Sequence, residues 1–80
     1  MKNEYYKLGN YGTGTLWFLR NRGGTFVHFN RLQIAKLEPD GTTWKSLAPG
    51  WNVTTTETHE LRVQHGYSGV VIFSPRSESR

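Results

Sequence analysis

Glycine and proline punctuate this chain at intervals of roughly 8–12 residues, and that spacing leaves room only for short elements. The breaks fall at Gly12 and Gly14, Gly23-Gly24, Pro39-Asp40-Gly41, Pro49-Gly50 and Gly66. Between them the residues alternate or run apolar, rich in aromatic and β-branched side chains, as strands do. The fold class this predicts is all-β: a small antiparallel β-sandwich or barrel of about six to seven short strands. A chain of 80 residues forms one domain. Its ends, 1–4 and 75–80, are polar and expected to be flexible.

The most apolar run is Gly69-Val70-Val71-Ile72-Phe73. Val70 and Ile72 point to one face of an extended strand, Val71 and Phe73 to the other, which predicts a central strand covered on both faces. Leu61 to Gln64 alternates as a half-buried strand, and His65-Gly66-Tyr67-Ser68 turns the chain between the two, giving a hairpin. Further upstream, Met1 to Asn10 reads as an edge strand or an arm anchored by Tyr5, Tyr6 and Leu8. Thr15 to Asn21 reads as a strand with Leu16 and Phe18 on one face and Trp17 and Leu19 on the other. Arg22-Gly23-Gly24 turns it into a return strand over Thr25 to Phe29.

Arg31 to Glu38 admits two readings. Leu32 and Ile34 lie on one phase and Ala35 and Leu37 on the other, so a strand here requires a bulge or bend. A short helix capped by Asn30, with Gln33 as its capping-box partner, is the alternative. The strand is preferred, because Glu38-Pro39-Asp40-Gly41 is a hairpin signal: proline sets φ, Asp suits the next position and Gly accepts the left-handed conformation. Thr42 to Leu47 is then the partner strand. Ala48-Pro49-Gly50 has the residue order of a type II turn. Trp51 to Val63 keeps one phase, interrupted by Thr55, Glu57 and His59, and reads as two strands or one long strand that leaves the core.

A domain this short buries only about 60% of its unfolded surface, and many such chains add a staple or a partner. Cysteine is absent, so disulfides and thiolate zinc sites are excluded. Met1-Lys2-Asn3-Glu4 does not open a signal peptide, and no apolar run approaches the roughly 20 residues of a membrane span. No membrane role is therefore expected, and the location expected is cytoplasmic or virion-associated. The Asn52-Val53-Thr54 acceptor pattern is read as an accident of a Thr-rich strand. The net charge of +4 favours anionic partners mildly, because the basic residues form no run.

Candidate chemistry is sparse. Glu57 and His59 can share a strand face as an acid–base pair, but nothing orients them. His28, His59 and His65 with Glu57 lack zinc-ligand spacing. No cofactor motif is present, and no enzymatic role is expected. Arg20, Arg22 and Arg31 stand near Trp17, Phe18, Phe26 and Phe29, a combination suited to phosphate contact and base stacking. Trp44 and Trp51 flank the Pro49-Gly50 turn. With Tyr11 they are candidate partner-binding residues, able to anchor a protein or stack on a sugar, with Lys45 and Asn52 as polar contacts. The expectation is a non-enzymatic interaction module that associates with itself or docks on a larger assembly, as virion decoration proteins and phage-encoded inhibitors do. A nucleic-acid-binding β-domain and a lectin-like sugar-binding module are the alternatives.

Overall fold

The computed structural model describes residues 3–74. They form eight strands: β1 (Glu4–Tyr11), β2 (Gly14–Asn21), β3 (Gly24–Phe29), β4 (Leu32–Leu37), β5 (Trp44–Ser46), β6 (Trp51–Thr55), β7 (Leu61–His65) and β8 (Val71–Phe73). Within each sheet consecutive strands pair antiparallel, giving a five-stranded sheet β1-β2-β3-β4-β5 and a three-stranded sheet β6-β7-β8, with the chain crossing between sheets from β5 to β6. The two sheets face each other, with β5 lying against β6 and β1 against β8. The expected all-β sandwich is present, with one or two more strands than the turn spacing suggested. The end segments 1–2 and 75–80 lie outside the described residues. Glu4, expected in a flexible lead, instead opens β1 opposite Arg20.

The core lies between the sheets. Leu16 and Phe18 of β2, Val27 of β3 and Ile34 and Ala35 of β4 meet Trp51, Val53, Leu61 and Val63 from the smaller sheet. Leu16, Val27, Ile34 and Val63 are fully enclosed, each worth about 1.5–3 kcal/mol relative to an exposed side chain. The phase change in Leu32 to Leu37 is resolved by a bulge. Val27 pairs with Ala35 and His28 with Gln33, so Ile34 is the extra residue, and both Ile34 and Ala35 turn inward. A second bulge at Leu8 in β1 brings Gly9 beneath the ring of Phe73. A side chain at Gly9 would occupy the space of that ring, so the glycine is what lets the first and last strands approach.

The turns follow the predicted chemistry. Gly41 N–H donates to the Glu38 carbonyl at 3.0 Å, and the Asp40 carboxylate accepts from the Thr42 and Thr43 amides at 2.8 Å and from the Thr43 hydroxyl at 2.6 Å. These donors hold the Asp40 carboxyl well below its usual range, at about 2, the Thr43 hydroxyl contributing most. Trp51 N–H donates to the Ala48 carbonyl with Gly50 at φ 83°, the type II geometry its sequence requires.

Several expectations are corrected. Gly69 to Phe73 is not central: β8 is the edge of the smaller sheet, with Val70 40% and Ile72 54% exposed. An apolar run shows that both faces of a strand can be covered, not that they are. Trp51 to Val63 is two strands, and Glu57 and His59 lie in the turn between them rather than on a shared strand face. The turn is closed by Thr56, whose amide donates to the Glu60 carbonyl and whose hydroxyl accepts from the Thr58 and Glu60 amides. His59 takes a left-handed φ of 65° there.

Candidate functional site

The antiparallel register decides which outward side chains become neighbours. Across the outer face of the larger sheet one row runs Tyr5, Leu19, Phe26, Lys36, Lys45, each residue opposite the next. A parallel row runs Lys7, Trp17, His28, Gln33. Adjacent strands are about 4.8 Å apart, so the first row crosses about 19 Å of surface. No described element packs over this face. Its apolar and aromatic centre is half-buried within the face, with Tyr5 the exposed ring, a lysine at one end of the second row and two at the far end of the first.

The aromatic groups are ordered. Tyr5 and Trp17 stack with ring centroids 5.0 Å apart and planes 6° from parallel. Tyr5 is 58% exposed, so its other ring face is open. The Lys36 ammonium lies 5.6 Å from the centroid of Phe26, a cation–π contact that shields the second aromatic surface. Lys7, Lys36 and Lys45 are exposed, and neither row contains a carboxylate; the nearest in phase is Glu38, opposite Thr43 beside the Lys36–Lys45 pair. Glu38 begins the β4–β5 turn two residues past Lys36, Glu57 and Glu60 sit at the β6–β7 turn, and Glu4 pairs with Arg20 at 3.4 Å. His28, between Trp17 and Gln33, has a buried Nε2 without a hydrogen-bond partner, and its pKa is lowered by that burial. The positive charge on the face therefore belongs to the lysines.

The residues singled out from sequence fall elsewhere. Tyr11 and Trp51 are interior, 9% and 4% exposed, and Tyr11 lines a cleft between the β1–β2 turn and the β7–β8 turn. Trp51 is enclosed by Tyr11, Phe29 and a stacked His65 ring at 4.2 Å. Trp44 is half-buried where β5 meets β6, its indole N–H donating to the Thr55 hydroxyl at 3.0 Å. A shallow groove of Thr42, Thr43, Val53 and Thr54 adjoins it. The pair of tryptophans expected around the Pro49-Gly50 turn is thus not an exposed pair. The arginines are separated too. Arg22 lies in the β2–β3 turn and Arg31 in the β3–β4 turn, at opposite ends of a six-residue strand and so about 20 Å apart. Arg20 is held by Glu4 and lies over the Phe18 ring.

Sequence reasoning missed Tyr5, Lys7, Phe26 and Lys36 as members of one site. The available signal was parity: Lys36 stands between the inward Ala35 and Leu37, and Trp17 between the inward Leu16 and Phe18. Among the described residues no three His, Cys, Asp or Glu side chains come together as metal ligands. Comparison with protein-family models, with curated proteins and with solved structures finds no match.

Proposed function

We propose that this chain is a non-enzymatic interaction module that binds an anionic partner on the outer face of its five-stranded sheet. The observation that carries the reading is the coincidence, on one uncovered face, of Tyr5, Trp17 and Phe26 with Lys7, Lys36 and Lys45 and with no carboxylate in either row. Exposed aromatic area without a cover is the usual mark of a binding surface, and lysines of one sign attract and orient a partner of the other. Two copies of this face laid together would oppose like charges, which disfavours self-association here.

The test is retention on immobilised heparin, used as a polyanion probe. The triple change Lys7→Gln, Lys36→Gln, Lys45→Gln should elute at clearly lower salt than the parent chain. The triple change Arg22→Gln, Arg31→Gln, Arg62→Gln removes the same charge from elsewhere and should elute near the parent. Equal losses in the two variants would show that net charge alone governs binding, and the reading fails.

A second reading rests on the β7–β8 hairpin. Tyr67 is fully exposed, and Val70 and Ile72 stand on a sheet edge. Such an edge can pair with another copy or with a larger assembly such as a virion. Light scattering across a concentration series tests it: a monomer throughout that is unchanged by Ile72→Lys removes self-association.

A further inference from the structure

We infer that the anionic partner is single-stranded nucleic acid, its bases stacking on Tyr5 and Phe26 and its phosphates held by Lys7, Lys36 and Lys45. The inference rests on the reading of this face as an anion-binding surface and goes further by naming the ligand class. A polyanion alone explains the lysines but not the aromatic rings between them. An aromatic ring can also stack on a sugar, but an unpaired strand offers it a flat π-face at every base together with a phosphate at every step.

The geometry matches that demand. Tyr5 and Phe26 stand in the same row, two strand spacings apart, or about 10 Å. The Tyr5 ring is backed by Trp17, which fixes its orientation before any ligand arrives and leaves the opposite face open. Phe26 is half-buried, and the flexible end of Lys36 lies over its ring. A phosphate that draws the ammonium away therefore uncovers the ring for a base, coupling the two contacts. Lys7 lies two residues along β1 from Tyr5, and Lys45 lies beyond Lys36, so cations stand at both ends of the aromatic centre. A duplex hides its base faces, and the face is a sheet without an element to enter a groove, so unpaired strands are preferred.

Fluorescence anisotropy with labelled twelve-nucleotide oligo-dT and oligo-rU, a duplex of equal length and a heparin fragment tests this on the full chain. The single strands should bind more tightly than the duplex. Neutralising about three phosphates predicts a log–log salt slope near −2, or about a 20-fold loss between 50 and 200 mM salt. Tyr5→Ala should weaken single-strand binding by at least about fivefold, the loss expected of one stacked base, and Tyr5→Phe should restore it. Tyr5 is a solvent-facing residue on an edge strand, so loss of fold does not mimic this result. If heparin, duplex and single strands bind alike and Tyr5→Ala changes nothing, the nucleic-acid inference is overturned while the anion-binding reading stands. If none of these polyanions binds, both fall.

Discussion

Tyr5 and Trp17 lie in different strands and on different cross-strand pairs, yet their rings stack 5.0 Å apart at 6° on an uncovered face. Tyr5 pairs with Leu19 and Trp17 with Lys7, so the ring contact is diagonal. An aromatic pair of this kind is worth about 0.5–1.5 kcal/mol beyond its burial. That is small beside the enclosed core, so this stack orients two rings more than it holds the protein together.

Tyr11 is the opposite case, an aromatic residue whose role is structural. Its hydroxyl donates to the Gly69 carbonyl at 2.7 Å and accepts from the His65 amide at 2.9 Å, tying the end of β1 to the β7–β8 turn. Tyr11→Phe keeps the ring but removes the partner of a partly buried carbonyl and amide. We expect a loss of about 0.5–1.5 kcal/mol in chemical denaturation. For a domain of this size that lowers the melting temperature by roughly 4–8 °C per kcal/mol. Heparin retention should be unchanged, because Tyr11 lies off the lysine-bearing face. An unaltered denaturation midpoint would contradict the role given to this hydroxyl.

His28 makes stability depend on pH. Burial lowers its pKa in the folded chain, so below the ordinary value of 6.5 the unfolded chain binds the proton more readily. The stabilisation of the neutral imidazole is therefore complete above pH 6.5 and is lost as pH falls toward the lower folded value. Lys7, Lys36 and Lys45 are the charged side chains of the same face. Denaturation midpoints between pH 7.5 and 5 should fall for the parent and fall less for His28→Gln. Parallel profiles would rule His28 out as the source.

The chain was legible in sequence wherever a local chemical requirement forced one conformation. Pro39-Asp40-Gly41 and Pro49-Gly50 specify their turns through fixed φ, a carboxylate acceptor and a left-handed glycine. The clash of phases between Ile34 and Ala35 left a bulged or bent strand or a short helix open, and the pairing of Val27 with Ala35 and of His28 with Gln33 shows the bulge. Facts set by the sheet order were not legible. Nothing in Val70 to Phe73 says that only β7 pairs with it, so its two apolar faces looked equally covered. Leu16-Trp17-Phe18-Leu19 is apolar on both phases, and its sequence does not say which face the second sheet covers. Lys7, Lys36 and Lys45 are widely spaced in the chain and formed no basic run; register alone brings them to one face. Conversely, Arg20, Arg22 and Arg31 are close in sequence and are dispersed because a six-residue strand separates two turns.

The central claim, that the outer face of the five-stranded sheet is the binding surface, is tested most directly by mapping amide chemical shifts on the isotope-labelled chain during titration with oligo-dT. The account predicts that the largest changes fall on Tyr5, Lys7, Trp17, Leu19, Phe26 and Lys36, residues distant in sequence and contiguous on that face. Changes concentrated instead at the β7–β8 hairpin around Tyr67, or at the Arg22 and Arg31 turns, would contradict it.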